Sequence, residues 1–277
     1  MQTTKPRLTR RVWLTTAVAA LAALGACTTA PQQPAAQAAP TAEVRVVSSG
    51  GFTAAYKVLA PLYQEATGRQ VVSAYGASMG NAPDAIPSRL ARGERFDVVI
   101  LADSALEKLI KEGKVVPGSR VDLGRSVIAA AVRKGTPKPD ISTVAALKNT
   151  LLHAKSIAYS ASASGTYLST EVFPKLDVNG QIAAKARRIL SERVGAVVAR
   201  GDAEIGFQQA SELLPFTELE YLGPLPEEVQ QRVFFSAGVL TDAPNPEGAR
   251  QFIRYLASPA AASIVRGTGL EPAGEKR

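Results

Sequence analysis

Small hydroxyl-bearing residues and glycines follow apolar segments at several points along the chain. The first such turn has the sequence SSGG at residues 48–51, between the apolar residues 44–47 and a helical pattern over residues 53–67. In a turn of this kind, hydroxyls and backbone N–H groups point at one spot, where the helix dipole adds partial positive charge. The residue types therefore indicate a binding site for an anion.

Two further turns repeat these residue types, and another segment adds amides. The segments at residues 76–80 (GASMG) and 160–167 (SASASGTY) each follow an apolar segment. Gln208 and Gln209 lie at the end of a third apolar segment. In parallel α/β sheets, ligands bind beyond the carboxyl ends of the strands, where all of these turns lie. We therefore expect the turns to line one cleft.

Alternating strand and helix patterns must position these turns. The alternation predicts an α/β fold with parallel strands, and its division into two sets predicts two lobes. The strands are predicted at residues 44–47, 70–75, 96–101, 127–132, 156–159, 204–209 and 233–240. The helices are predicted at residues 53–66, 86–90, 103–112, 142–153, 180–189, 193–198 and 246–265, with Asp103 as the N-cap of the third.

The composition allows a sizeable core and argues against a nucleic-acid partner. Of the 277 residues, 46% are hydrophobic and 20% are charged, and this length allows one large or two small domains. The net charge is +8, but four of the basic residues lie within residues 1–26, and the others are scattered among acidic residues. Nucleic-acid binding needs a clustered basic surface and is therefore not expected.

The N-terminal segment has the features of an export signal. In residues 1–26, basic residues precede an Ala- and Leu-rich run, and LGAC at residues 24–27 resembles a bacterial lipobox with Cys27 as the lipidated residue. Residues 27–42 then form the lipidated Cys and a flexible tether rich in Ala, Pro and Gln. We predict a periplasmic lipoprotein anchored to a membrane through this lipid. Sec or twin-arginine export, and the inner or outer membrane, stay open.

From residue 43 to 270, the chain resembles the periplasmic solute-binding proteins of the type II fold, most closely the molybdate-binding group. The likeness lies in VSS at 47–49, FDVVI at 96–100, SGTY at 164–167, GFQQ at 206–209 and FIRYLASPAA at 252–261. It implies a monomer with two lobes, a central cleft and two hinge crossovers near residues 125 and 235. Lobe 1 then comprises residues 43–124 and 236–277, and lobe 2 comprises residues 125–235.

The resemblance also implies the residues that hold the ligand. In the molybdate-binding group, hydroxyls and backbone N–H groups hold the oxyanion. This chain adds arginines and amides, which suit a larger polycarboxylate because Arg pairs with a carboxylate in a bidentate fork. The predicted partner is a small anion, either an oxyanion or a tricarboxylate. The predicted ligand-binding residues are Ser48, Ser49, Gly50, Gly51, Ser78, Met79, Arg89, Ser162, Ser164, Gly165, Arg193, Gln208 and Gln209.

A narrower resemblance, to the periplasmic aconitate isomerases, rests on longer strings. These are SSGGF at 48–52, SMG at 78–80, AIPSRLARGE at 85–94, SASASG at 160–165 and GFQQASELLP at 206–215. The resemblance implies an isomerase that interconverts trans- and cis-aconitate by allylic proton transfer in the cleft, without a cofactor. No Cys or His spacing typical of a metal site occurs in the sequence.

Allylic proton transfer requires a base and an acid, and the sequence leaves their identity open. The one Cys is the predicted lipidation site, and the one His, His153, ends a predicted helix. The candidate catalytic residues are Tyr75, Tyr167, Asp103 and Lys57.

A solute-binding role also stays open. In that alternative, the same cleft closes around a molybdate-like oxyanion or a polycarboxylate and delivers it to an ABC permease. Both functions require the same turns and hinges, so the fold does not separate them. The direction of the isomerisation in the cell is open as well.

Overall fold

The computed structural model describes residues 43–274 of the chain. The predicted export signal at residues 1–26, the predicted lipidation site Cys27 and the predicted tether up to residue 42 lie outside the described residues. Within residues 43–274, no helix is both long enough and apolar enough to cross a membrane.

Strands and helices alternate along most of the described chain. The strands are β1 (Val44–Ser49), β2 (Val71–Gly76), β3 (Val98–Ala102), β4 (Val121–Arg133), β5 (Ile157–Ser160), β6 (Ala186–Ile189), β7 (Ile205–Gln209), β8 (Leu219–Pro224), β9 (Arg232–Val239) and β10 (Glu271–Pro272). The α-helices are α1 (Gly50–Thr67), α2 (Ile86–Ala91), α3 (Asp103–Lys111), α4 (Val144–His153), α5 (Ala163–Tyr167), α6 (Phe173–Lys175), α7 (Asn179–Ile182), α8 (Val194–Arg200), α9 (Ala210–Leu213), α10 (Pro246–Leu256) and α11 (Pro259–Gly267). A π-helical segment (Leu168–Val172) links α5 to α6, and a 3₁₀ turn (Glu227–Val229) precedes β9.

Within residues 43–274, eight strands form one hydrogen-bonded series in the order β2-β1-β3-β9-β4-β7-β5-β6, and β8 and β10 each pair with β4. β1 pairs in parallel with β2 and β3, and β5 pairs in parallel with β6 and β7. β4 and β9 run antiparallel to their neighbours in this series. The predicted α/β class and the parallel pairing within each set are confirmed. The sequence did not indicate that β4 and β9 pair in antiparallel fashion between the two sets. Parallel and antiparallel strands are equally apolar when both of their faces are buried.

Two lobes result, each with its own hydrophobic core. In the first lobe, Phe52 and Tyr63 of α1 pack with Phe252 of α10 against β1, β3 and β9, and the ring centroids of Tyr63 and Phe252 lie 4.9 Å apart. In the second lobe, Leu147 of α4 packs with Phe207 of β7 and with residues of the π-helical segment. Helices also cover the opposite face of each set of strands. The carboxyl ends of the parallel strands are thereby left as the edges that face the other lobe.

β4 and the segment leading into β9 connect the two lobes. Along β4, Leu123 packs in the first core and Ile128 in the second, and on the return path Val229 packs in the second core and Val233 in the first. The side chain of Gln230 holds this crossing. Its Oε1 accepts from the N–H of Ile128 (2.8 Å) and its Nε2 donates to the C=O of Ile128 (2.9 Å). The division into residues 43–124 plus 236–277 and residues 125–235 stays a prediction.

Several predicted elements differ from the structure. The predicted helix at residues 180–189 is wrong, because residues 179–182 form α7 and residues 186–189 form β6, a half-exposed edge strand with few apolar residues. The half-exposed strand β8 was not predicted either, because its sequence LEYLGP ends in Gly and Pro, which are depleted in strands. The predicted helix at residues 246–265 is interrupted after Leu256, because Ser258 caps a new helix whose first residue is Pro259.

Two helix starts also differ by a few residues. α1 begins at Gly50 rather than at residue 53, so the predicted anion-binding turn is the first turn of the helix itself. Asp103 is the first residue of α3, whose N-cap is Ala102, and its carboxylate accepts from the N–H of Ser104 (2.8 Å). The prediction of Asp103 as N-cap is therefore wrong by one position.

Candidate active site

A cavity of about 150 Å³ lies between the lobes, at the carboxyl ends of β1, β2, β5 and β7. We name this cavity the cleft. Its first-lobe lining consists of Gly50, Gly51, Thr53, Tyr75, Gly76, Ala77, Ser78, Asp84 and Phe235. Its second-lobe lining consists of Ser160, Ala161, Ser162, Ala163, Ser164, Ile189, Leu190, Ser191, Glu192, Arg193, Gln208, Gln209 and Glu212. The structure thus brings together the four segments that the sequence suggested would converge.

The start of α1 forms one wall of the cleft. Gly50 and Gly51 are its first two residues, so their N–H groups have no acceptor within the helix. A Cβ on Gly50 would overlap the Glu212 carboxyl group and a Cβ on Gly51 would overlap the Phe235 ring, so a side chain at either position would require its neighbour to move. Gly50 therefore lets α1 approach Glu212 of the second lobe closely, and Gly51 lets α1 pack against Phe235, with the positive end of the helix dipole towards the cleft.

Ser78 and Ser162 join the two walls of the cleft. The N–H of Ser78 donates to Oγ of Ser162 (3.2 Å), and Oγ of Ser78 accepts from the N–H of Ala102 at the end of β3 (2.9 Å). These bonds fix both hydroxyl oxygens. Each hydroxyl keeps its own proton, which it can donate to an anion.

The turn after β5 presents three hydroxyls. Oγ of Ser160 lies 3.1 Å from Oγ of Ser164 and accepts from the N–H of Ser162 (3.3 Å). Gly165, a predicted ligand-binding residue, lies behind this turn rather than in the lining of the cleft. A Cβ there would overlap the C=O of Ser160, so glycine serves the close packing of α5 on the end of β5.

The paired amides at the end of β7 have different partners. Oε1 of Gln208 accepts from the N–H of Val194 (3.0 Å), and its Nε2 donates to Oε2 of Glu212 (2.7 Å). Gln209 is also buried, yet neither Nε2 nor Oε1 has a hydrogen-bond partner within the described residues. An unpaired buried amide costs about 1–3 kcal/mol, so the Gln209 amide is the group that gains most from a ligand in the cleft.

The two predicted arginines also differ. Arg193 lines the cleft, and within the described part of the chain its guanidinium makes no hydrogen bond or ion pair. Arg89 lies outside the lining, where Nη1 pairs with Oε2 of Glu94 (2.7 Å) and Nε donates to the C=O of Asp84 (3.1 Å). Only Arg193 is therefore positioned to bind a carboxylate in the cleft.

Glu212 brings a carboxyl group into the cleft. It belongs to α9, directly after the strand that carries Gln208 and Gln209, and only 8% of it is exposed. Burial raises the pKa of the Glu212 carboxyl to about 7, and the positive charge of Arg193 opposes that rise. Near neutral pH, this group can therefore both accept and release a proton.

The other predicted residues lie elsewhere. Ser48 and Ser49 are buried below the start of α1 and do not line the cleft, and Oγ of Ser49 has no partner within the described residues. Met79, Asp103 and Tyr167 line a separate cavity.

Tyr75 and Lys57 are adjacent at the cleft. Tyr75 lies in its lining and is 38% exposed. The ammonium group of Lys57 lies 5.5 Å from the centroid of the Tyr75 ring. Of the four candidate catalytic residues, only Tyr75 therefore lines the cleft.

Thr53, Asp84, Ser160 and Glu212 line the cleft but are not among the ligand-binding residues predicted from the sequence. A Glu in the first turn of a helix normally indicates a solvated partner of the helix dipole, so the type and position of Glu212 gave no sign of its burial. A usable signal was its place in the turn that follows Gln208 and Gln209. Ser160 could have been found as the first hydroxyl of the predicted turn at residues 160–167, and Thr53 as the hydroxyl that follows the predicted turn at residues 48–51.

The lining supports two chemical operations. Hydroxyls, the Gln209 amide, the Arg193 guanidinium and the start of α1 are all donors or positive groups, and they suit a ligand with several carboxylates. Glu212 adds a group that can exchange protons. Within the described residues, no cluster of His, Cys, Asp and Glu that could hold a metal ion is found.

A two-lobed α/β fold with a donor-lined cleft at its strand ends is that of a bacterial solute-binding protein. Residues 44–271 match the family of bacterial extracellular solute-binding proteins, and the chain belongs to this family.

The individual relatives divide into an enzyme and binding proteins. The chain is 48% identical over 235 residues to the aconitate isomerase of a Pseudomonas species, which covers 85% of this chain and 90% of that protein. It is 29% identical over 247 residues to the molybdate-binding protein of Azotobacter vinelandii, covering 84% and 91%. The solved structure of the periplasmic molybdate-binding protein of A. vinelandii matches with a TM-score of 0.66 at 23% identity, covering 82% of this chain and 98% of that one. The predicted two-lobed type II fold is confirmed.

Proposed function

We propose that this protein is an aconitate isomerase that interconverts trans- and cis-aconitate in the cleft. The observation that carries the proposal is that Arg193 and the Gln209 amide, two strong donors without a hydrogen-bonded protein partner in the described residues, line the same cavity as five serines. A ligand with three carboxylates provides acceptors for all of them, whereas a tetrahedral oxyanion offers fewer. The 48% identity to a known aconitate isomerase supports the same function.

The proposed reaction moves one proton across an allylic system. A proton leaves the methylene carbon, the double bond shifts towards that carbon, and a proton adds to the former vinylic carbon. The new double bond joins a different pair of carbons, so it can form in either the cis or the trans configuration. Negative charge that spreads onto the conjugated carboxylate is stabilised by the donors of the cleft. Substrate and product have the same oxidation state, so the reaction requires no redox cofactor.

We propose that Ser78, Ser162, Ser164, Arg193 and Gln209 bind the three carboxylates. In the same proposal, residues 43–124 with 236–277 and residues 125–235 move as lobes about the crossings at β4 and β9. Closure of these lobes over the substrate excludes water, which would otherwise quench a carbanion-like intermediate.

The second candidate is a binding protein that delivers a molybdate-like oxyanion or a polycarboxylate to an ABC permease. Its support is the family itself and the 29% identity to a molybdate-binding protein. In this alternative the protein is a monomer whose lobes close on the ligand without chemistry.

We further propose that the protein is exported to the periplasm and anchored by a lipid on Cys27. Support comes from the extracellular family and from LGAC at residues 24–27 after a basic and apolar segment. Metabolic labelling tests it: the wild type should incorporate radiolabelled palmitate and the Cys27→Ala variant should not, and equal labelling of the two proteins contradicts lipidation at Cys27.

Proton NMR tests the enzymatic proposal directly. Residues 27–277, which include every described residue, are incubated with pure trans-aconitate, and resonances of cis-aconitate should appear. In parallel, calorimetry measures the binding of molybdate and of trans-aconitate. Absence of conversion at high protein concentration, together with tight binding of molybdate, contradicts the isomerase and supports the second candidate.

A further inference from the structure

The cleft contains an acidic side chain that does not fit the binding of a polycarboxylate. Glu212 lines a cavity otherwise rich in donors, and its carboxyl group is buried between the start of α1 and the end of β7. A carboxylate repels the carboxylates of a bound substrate, and burial of its charge is unfavourable. A role in ligand binding therefore does not explain this side chain.

Protein contacts hold the Glu212 carboxyl in one orientation. Nε2 of Gln208 donates to Oε2 of Glu212 (2.7 Å), and Gln208 is itself fixed by the N–H of Val194 (3.0 Å). The same oxygen, Oε2, occupies the space that the missing side chain of Gly50 leaves. Such support from two elements is what a reacting group requires in order to meet a C–H bond in the correct geometry.

The other acidic residues of the cleft lack this support. Glu192 is exposed and pairs with Arg200 (Oε2 to Nη1, 2.9 Å). Asp84 lies on the first-lobe wall, and its Oδ1 has no hydrogen-bond partner within the described residues. Glu212 is the acidic lining residue that is both buried and hydrogen-bonded to a fixed amide.

We propose that Glu212 is the catalytic acid–base that carries the proton between the two ends of the aconitate allyl system. This inference rests on the proposed isomerase function. The carboxylate of Glu212 removes a proton from the methylene carbon, and the C–H electron pair becomes the new double bond to the central carbon. The electrons of the old double bond move to the former vinylic carbon and its carboxylate. The carboxylic acid of Glu212 then donates its proton to that carbon, which regenerates the carboxylate.

Near neutral pH, Glu212 is present both as the carboxylate that removes the proton and as the carboxylic acid that returns it. Its raised pKa of about 7 makes the carboxylate a stronger base than an exposed Glu, and Arg193 keeps part of the population ionised. Gln208 acts as a positioning residue, because it touches Glu212 and is held by the backbone of α8.

The decisive experiment compares the wild type, Glu212→Gln and Glu212→Asp in deuterated buffer with trans-aconitate. Proton NMR follows both isomerisation and exchange of the methylene protons, which reports C–H cleavage even without net conversion. Glu212→Gln should lose both activities by about 10²–10⁴-fold and still bind trans-aconitate in calorimetry, whereas Glu212→Asp should retain part of both. Glu65→Gln, which changes an exposed Glu on α1, is the matched control and should behave like the wild type.

The outcomes separate this inference from the proposed function. If the wild type does not convert aconitate, the proposed function fails, and the inference fails with it. If the wild type is active and Glu212→Gln remains close to wild-type activity, only the inference is overturned. The same conclusion follows if Asp84→Asn abolishes C–H exchange while Glu212→Gln retains it. Circular dichroism spectra of the variants exclude loss of the fold as the cause of inactivity.

Discussion

The carboxyl group of Glu212 occupies the space that a side chain on Gly50 would fill. Gly50 is the first residue of α1 in one lobe, and Glu212 lies in α9 of the other. The two residues therefore couple the approach of the lobes to the position of the carboxyl group. A methyl group at position 50 should displace the carboxyl group from the start of α1.

We expect Gly50→Ala to lower the isomerisation rate by about 100-fold, because a displacement of about 1 Å is enough to misalign a reacting group. Far-ultraviolet circular dichroism should be unchanged, since alanine is favoured within a helix. Gly180→Ala is the control, because a Cβ there meets no atom within 4 Å. A Gly50→Ala protein with full activity contradicts the assigned position of Glu212.

Replacement of Arg193 should affect both substrate binding and the pH dependence of the rate. Loss of a charge-assisted hydrogen bond of about 1.5–3 kcal/mol predicts that Arg193→Met raises KM by roughly 10–100-fold. Arg193 also lowers the pKa of Glu212, so the rise in rate with pH should shift to higher pH in the variant. Steady-state kinetics over a range of pH measure both effects.

Arg89→Met is the comparison for Arg193→Met. The Arg89 guanidinium is already paired with Glu94 and does not line the cleft, so KM and the pH profile should stay unchanged. If Arg89→Met has the larger effect on KM, Arg89 rather than Arg193 binds the substrate.

The convergence of the turns on one cleft could be predicted from the sequence, because it depends on local patterns. Serine- and glycine-rich turns after apolar strands are visible residue by residue, and parallel α/β topology brings strand ends to one edge. Ser78, Ser162 and Ser164 belong to such turns, and all three line the cleft. Met79 and Tyr167 belong to the same two turns, yet they line another cavity, because a position in a turn does not determine the direction of a side chain.

The identity of each side chain's partner could not be predicted, because it depends on residues distant in the sequence. Gln208 and Gln209 are neighbours, but alternation along β7 directs one amide to Val194 and Glu212 and leaves the other without a partner in the described residues. The burial of Glu212 depends on Gly50 from the other lobe. Local patterns in one amino-acid sequence carry no information on contacts between residues that are distant in that sequence.

The unpaired amide of Gln209 predicts opposite effects on binding and stability. Gln209→Met keeps the length of the side chain and removes both polar atoms, so the affinity for trans-aconitate should fall by about 10-fold, equivalent to about 1.4 kcal/mol. The free energy of unfolding should stay the same or rise, because two buried polar atoms without protein partners are removed. Calorimetry and urea unfolding test the two effects. A loss of stability without a loss of affinity contradicts a ligand-binding role for this amide.

A pair of serines separates structural from ligand-binding hydroxyls. Ser164 lines the cleft, whereas Ser49 is buried below the start of α1 and outside the lining. Ser164→Ala should weaken the binding of trans-aconitate by about 1 kcal/mol, and Ser49→Ala should leave binding unchanged. Both variants should retain the wild-type circular dichroism spectrum. Equal losses of affinity in the two variants contradict the difference in position.

The raised pKa of Glu212 predicts how stability depends on pH. The folded protein holds the Glu212 proton up to about pH 7, whereas the unfolded chain releases it near the ordinary value of 4.5. Stability that is fully present below 4.5 is therefore lost as the pH rises to about 7, by about 3 kcal/mol in total. Glu212→Gln stays neutral and should escape this loss, so its free energy of unfolding should match that of the wild type at about pH 4 and exceed it at about pH 8. Urea unfolding of both proteins at the two pH values measures the difference, and a wild type that is the more stable protein at the higher pH contradicts a buried, titrating Glu212.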